Sequence, residues 1–424
     1  MSKKMKYILA TLFIILFLIP AHASNMLLIP MDRAQSNHLK AYGIAYLALQ
    51  RGRDVEWLLN YRGGSFSMAY TDHIEKECLL RGVSYERIGS GQYASIQNVI
   101  EENNMSVVLL EKAPEIAVYT PPNTMPWDDA VTLALSYAEI PYEKIYDTEI
   151  LHGELTKFDW LHLHHEDFTG QYGKFYGNYR NAAWYIQEQL TQETLAASLG
   201  FSKVSRLKLA VAQEIRNYVS KGGFVFAMCA ATDTYDIALA AHATDICHPV
   251  FDHDGIDPDF NEKLDFSQTF AFTDFTVYPD PNLYEYSDID IPPSYEPLAL
   301  DPARDYFSLF EFSAKFDPVP TMLTQNHETL IKGFMGQTTS FNRKRIKRHV
   351  LIMGEAHNTD RVKYIHGNVG QGTFTFYGGH DPEDYRHYVG DPPTNLDLHK
   401  NSPGYRLILN NILFPAAKKQ ERKT

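Results

Sequence analysis

The stretch GGFVFAMCAATDTYDIALAAH (222–242) places one cysteine, Cys229, where an apolar strand-like run meets a helix-like run. Ala227 and Ala231 lie two residues to either side. A nucleophile at the apex of a strand-to-helix turn needs small neighbours, because the turn is tight and its backbone strained. The start of the following helix would lower a thiol pKa through its dipole and unpaired N–H groups. The same N–H groups, at Ala230 and beyond, would hold an oxyanion. Thr232 and Asp233 follow within one turn and join Ala230 as candidate substrate-binding residues. The competing reading makes Cys229 a small buried hydrophobe at a strand end.

A second stretch, GTFTFYGGHDPED (372–384), puts His380 after a strand-like run and a Gly-Gly turn. In a parallel sheet the C-terminal strand ends share one edge, where ligands bind. Cys229 and His380 are therefore expected at one crevice as a nucleophile–base pair, with Glu383 or Asp381 orienting the imidazole. The alternative is a turn histidine bonded to backbone. WLHLHHEDF (160–168) ends another strand with His162, His164, His165, Glu166 and Asp167. Alternation sends His162 and His164 to one face and His165 to the other, so no more than a subset could share a metal. His164, His165 and Glu166, nearest the strand end, are expected to line the crevice and bind a polar ligand.

Two further segments carry weaker signals. FDHDGIDPDFNE (251–262) is acidic, but Gly255 falls too early for an EF-hand, and Cys247, His248 and His253 match no standard zinc spacing. It reads as a solvated acidic loop, with NRKRIKRH (342–349) as a charged edge balancing it, and no metal is assigned. The aromatic loop FTGQYGKFYGNYRNAAWY (168–185) suits stacking on sugar rings, or else ordinary packing.

These segments must be positioned by alternating strands and helices. NMLLIPMD (25–32), DVEWLLN (54–60) and SVVLLE (106–111) read as strands, and Leu39, Tyr42, Tyr46 and Leu49 as one helical face. Residues 24–113 are thus expected to form a small α/β lobe. From residue 114, EIAVYT (115–120), a strand near 142–146, WLHL and FVFAM (224–228) alternate with helices. One helix, at 205–223, carries Leu207, Val211, Ile215, Tyr218 and Val219 on one face. Strands separated by helices demand crossovers, hence an α/β fold with a doubly wound parallel sheet over 114–424. Residues 250–345, rich in Asp, Tyr, Phe and Pro, interrupt it as a loop-rich insertion. The pattern resumes at HVLIMGE (349–355) and closes with PGYRLILNNILF (403–414).

The 424 residues are 44% hydrophobic and 13% aromatic, enough for a core and unlike a disordered chain. The net charge of −13 argues against nucleic-acid binding, which needs a basic face. Lys3, Lys4 and Lys6, the apolar run 7–20 and Ala21-His22-Ala23 read as a signal peptide (1–23). Cleavage there would take the charge to −16, place the protein in the periplasm or outside the cell, and leave no membrane span. Cys78, Cys229 and Cys247 allow at most one disulfide, with Cys229 expected to stay free.

Together ATDT (231–234), His248-Pro249, YGGHDPEDY (377–385) and the closing YRLILNNILFPA (405–416) resemble the ThuA-like (trehalose-utilisation) proteins. The likeness covers roughly 115–250 and 349–416. It implies the flavodoxin-like fold of the class I glutamine amidotransferase-like superfamily and a carbohydrate-linked substrate. Two departures stand out. ThuA-like proteins commonly carry His at the elbow, where this chain has Cys229. Amidotransferases flank the Cys with Gly and use His-x-Glu, whereas here the flanks are Ala and Glu383 is three residues after His380. With no SGGxDS-type loop, ATP-dependent asparagine synthesis is not expected. The expectation is an exported hydrolase-type enzyme, free of cofactors, acting on a small polar or carbohydrate-derived substrate. The alternatives are a non-catalytic carbohydrate-binding protein and an envelope accessory module.

Overall fold

The computed structural model describes residues 25–121, 129–163, 165–291, 300–318, 320–323, 328–386, 388 and 390–417. The expected signal peptide, 1–23, lies outside them. So does His164.

Five strands build a first sheet: β1 (Met26–Ile29), β2 (Val55–Leu59), β3 (Ser65–Ala69), β4 (Glu86–Ile88) and β5 (Ser106–Leu110). They run in the order β4-β1-β3-β2-β5, each pair antiparallel. Helix α1 (His38–Gln50) is started by Asn37, whose side chain accepts the Lys40 N–H. Its residues Leu39, Tyr42, Tyr46 and Leu49 are buried, Tyr42 edge-on to Trp57 and Phe66. Each such ring contributes roughly 2 kcal/mol by leaving water.

The second sheet is larger and mixed. β6 (Ile116–Tyr119), β7 (Glu143–Ile145), β8 (Trp160–Leu163), β9 (Phe224–Met228) and β15 (Gly372–Tyr377) are parallel, in the order β7-β6-β8-β9-β15. Beyond β15 the sheet turns antiparallel through β14 (Arg361–Val369), β13 (Leu351–Glu355), β10 (Tyr306–Leu309) and β11 (Leu330–Lys332). The short β12 (Phe341–Asn342) pairs with β14. The chain is an α/β protein. A wholly parallel sheet is corrected to a mixed one, and β14 is among the strands the sequence concealed. Arg361, Lys363 and His366 interrupt its apolar pattern, yet all three are buried.

Helices α3 (Val204–Ser220) and α4 (Ala230–Ala240) pack against the parallel strands and each other, and α2 (Ala130–Ala138) packs on α5 (Pro403–Leu413), which also meets β11. Helix α3 buries Leu207, Val211, Ile215 and Val219, while Tyr218 is half-buried and reaches the Phe158 carbonyl at 3.3 Å. Helix α5 joins the two sheets. Its buried Arg406 donates to the Tyr42 hydroxyl (2.9 Å) and to the carbonyls of Met31 (3.2 Å) and Gly63. One apolar cluster therefore runs from the first sheet through α1, α2 and α5 to the second.

The insertion contributes more than loops. Residues 306–309 and 330–332 extend the sheet, and 264–291 lay Phe270 and Phe272 against Phe374, Phe376 and Phe341. Buried carboxylates pin it down. Asp236 of α4 accepts the N–H groups of Phe270, Ala271 and Phe272 (2.7–2.9 Å), and Asp290 accepts that of Thr339 at 3.0 Å. Backbone donors that a loop would otherwise bury unsatisfied are thereby paired.

Candidate active site

Cys229 stands between β9 and α4 with φ +53° and ψ −141°, a conformation a side chain adopts only under constraint. The constraint is visible. Its N–H donates to the Gly379 carbonyl at 3.1 Å, and its own carbonyl accepts both the N–H (3.1 Å) and hydroxyl (2.7 Å) of Thr232. Thr232 thus braces the turn from within. Because glycine alone tolerates such angles freely, Cys229→Gly should be about 1 kcal/mol more stable than Cys229→Ala in denaturant titrations, reversing the usual order. Equal stabilities would show that the turn carries no strain.

The neighbouring parallel strand β15 ends level with β9, Tyr377 opposite Met228. Gly378, Gly379 and His380 therefore leave the sheet beside the cysteine. The His380 N–H donates to Met335, and its ring packs on that of His165, centroids 5.0 Å apart. The carboxylates expected to orient His380 are engaged elsewhere. Asp381 accepts the Tyr405 hydroxyl (2.8 Å) on one oxygen and the Glu383 N–H (2.8 Å) on the other, and Glu383 pairs with His399 at 3.0 Å. Both turn back, Asp381 onto α5 and Glu383 onto the 395–402 loop.

The thiol is covered by the segment 334–340. The Gln337 N–H donates to Sγ at 3.2 Å, and the N–H groups of Thr338 and Ala230 also favour the thiolate. Burial outweighs them and pushes the thiol up to about 11. The shift is opposite in sign to that expected from the helix start alone, since the donors are present but water is excluded. Asp233, one turn on, accepts the Thr338 hydroxyl (2.8 Å) and the Thr234 N–H (3.0 Å) on one oxygen. Its other oxygen has no partner among the described residues, and burial raises the group to about 7.

That shift has a stability consequence. Between about pH 4 and 7 folded Asp233 keeps a proton that the unfolded chain has released, so its contribution declines as pH rises through this window. Asp233→Asn removes the decline. The variant's stability relative to the natural chain should therefore rise by roughly 3 kcal/mol from pH 4 to 7.5. Denaturant titrations at both pH values check this, and a constant difference would count against it.

Glu166 lies at the end of β8, in the same cleft as His165, Phe175, Trp184, Glu188 and Gln192. It accepts the Tyr146 hydroxyl at 3.2 Å, and burial raises it to about 8. Behind it sits a buried network that the sequence reading missed. Lys208 Nζ donates to Tyr119 (2.9 Å), Tyr146 (2.9 Å) and Asp147 (3.1 Å). The available signal was a lysine among the apolar positions of α3. Lys363 was missed with its strand.

The other sequence candidates take structural roles. His162 is fully buried between Asp129 (2.8 Å) and the Phe226 carbonyl (3.2 Å). Asp245, Cys247 and Asp252 cluster, but the Lys203 ammonium already sits 2.7 Å from Asp245 and 3.0 Å from Asp252. Cys78, Cys229 and Cys247 are all free thiols. Of the aromatic loop, Phe175, Tyr179 and Trp184 pack together and Phe175 meets Tyr284 of the insertion. No helix among the described residues is long and apolar enough to cross a membrane.

No family model matches this chain, and neither does any curated protein. Solved structures do match. The cytoplasmic protein STM3548 from Salmonella typhimurium aligns over 72% of this chain and 100% of its own, at 10% identity and a TM-score of 0.34. The cytoplasmic protein STM1381 from Salmonella typhimurium LT2 covers 72% and 99%, at 10% identity and 0.32. The exo-beta-1,4-mannosidase Op5Man5 from Opitutaceae bacterium strain TAV5 covers 62% and 31%, at 9% identity and 0.27. Likeness at this level carries no functional argument.

Proposed function

We propose that this chain is an exported, thiol-dependent acyl hydrolase of the class I glutamine amidotransferase-like type, acting on a small polar or carbohydrate-derived substrate. One observation carries the reading. Cys229 is held at φ +53° on a strand-to-helix turn, its N–H bonded to the residue that precedes His380. Strain of this kind persists where a nucleophile must be presented. The five parallel strands, numbered along the chain, lie in the order 2-1-3-4-5, which supports a flavodoxin-like, ThuA-like core.

In the proposed reaction Sγ attacks a carbonyl carbon while the thiol proton passes to the His380 imidazole. The S–C bond forms and the carbonyl electron pair moves to oxygen, where backbone N–H groups receive it. Collapse expels the amine or alcohol, which takes the proton from the imidazole. Water, deprotonated by the same ring, cleaves the thioester and restores the thiol. Since Cys229 rests as a buried thiol, His380 acts as a base during attack rather than maintaining a standing ion pair. Asp381 and Glu383 have no part in it.

A second reading, a carbohydrate-binding protein without chemistry, is favoured by the Phe175–Trp184 rings beside Glu188 and Gln192. The deciding experiment treats the protein with p-nitrophenyl acetate and maps the acetyl group by mass spectrometry. Acetyl-Cys229 that forms and then hydrolyses supports the hydrolase. Acetylation confined to surface lysines would leave the binding reading.

A further inference from the structure

Resting on that reading, we propose that the insertion completes the catalytic site. The backbone N–H of Gln337 is its second oxyanion donor, beside Ala230, and Lys363 is the positioning residue that holds it there.

The segment 334–340 passes directly over the turn. Gly336 packs so closely on the backbone of Gly379 and His380 that a Cβ there would lie 2.9 Å from both the Gly379 carbonyl carbon and the His380 nitrogen. One residue on, the Gln337 N–H meets Sγ at 3.2 Å, while its side chain anchors outward on the Gly173 (2.6 Å) and Tyr284 (3.3 Å) carbonyls. Lys363, wholly buried on β14, donates from one Nζ to the carbonyls of Phe334 (2.7 Å) and Thr339 (2.6 Å). One ammonium thereby clamps both ends of a single loop.

Burying an ammonium is costly unless its protons are used, and here two of them fix the curvature that aims Gln337 inward. Its environment, dominated by burial, draws Lys363 down to about 7. The oxygen of the tetrahedral intermediate sits two bonds from Sγ, within hydrogen-bond reach of a donor that already meets Sγ in the resting state. The donor then transfers from sulfur to oxygen as the S–C bond forms, the thiol proton leaves for His380 and the negative charge develops on oxygen. Ala230 alone would supply one such bond, and removing one donor from an oxyanion site typically costs 10²–10³ in rate.

The test uses the full chain with Cys78→Ser and Cys247→Ser, and compares two reactions of Cys229. Acetylation by p-nitrophenyl acetate develops an oxyanion. Alkylation by iodoacetamide is a displacement and develops none. Gly336→Ala, which lifts the loop, and Lys363→Met, which releases its ends, should each lower acetylation about 100-fold. Alkylation should stay level or rise as the cover loosens. A Lys363→Met chain that fails to fold leaves Gly336→Ala to decide. If both rates fall together, or acetylation is unchanged in a folded variant, the proposal is overturned. Absence of acetyl-Cys229 in the parent protein would instead overturn the hydrolase reading itself.

Discussion

Acetyl transfer from p-nitrophenyl acetate is expected to fall to the solvent background in Cys229→Ala, and by roughly 10²–10⁴-fold in His380→Ala. The two losses differ in origin. Without Sγ no thioester forms, so what remains is uncatalysed chemistry at other side chains. Without the imidazole the nucleophile persists, but as a thiol that burial has pushed up to about 11, with nothing to take its proton at neutral pH. His380→Ala should therefore recover part of its rate as pH is raised toward the thiol's own titration, whereas Cys229→Ala should not. A Cys229→Ala chain that acetylates and turns over like its parent would remove the nucleophile reading. A His380→Ala chain with the parent's rate at neutral pH would leave Cys229 without its base.

Arg406→Met is expected to cost about 2–4 kcal/mol of stability in denaturant titration. The guanidinium is fully buried and donates to Tyr42, Met31 and Gly63, all in the first sheet's half of the molecule, from a helix that packs on the second. Methionine fills similar space but leaves the Gly63 carbonyl without that donor, and an orphaned buried acceptor costs about 1–3 kcal/mol, while the Met31 carbonyl keeps the His38 ring nitrogen at 2.9 Å. Because the same apolar cluster crosses both sheets, the loss should appear as one cooperative transition at lower denaturant. A change below about 1 kcal/mol would mean that apolar packing alone joins the halves.

Much of the scaffold was legible because local chemistry repeats along the chain. FVFAM reads as a strand buried on both faces and is one. The spacing of Leu207, Val211 and Ile215 marks the face that α3 buries. Adjacency of Cys229 and His380 followed from topology, since parallel strands deliver their C-terminal ends to one edge. Strand β14 was illegible for the converse reason. Arg361 and Lys363 look solvent-facing until Asp305, at 3.0 Å from Arg361, and the carbonyls of Phe334 and Thr339 are brought to them from distant segments.

By itself the sequence determined the α/β class, the turn that presents Cys229 and the strand end that carries His380. Each rests on residues within a dozen positions of one another, where periodicity and backbone sterics act. Only the tertiary structure decided what covers the thiol, which way its pKa moves and where Asp381 and Glu383 point. Those depend on desolvation and on hydrogen bonds closed between segments well separated in sequence, from Glu383 and His399 to Cys229 and Gln337. No local pattern encodes them.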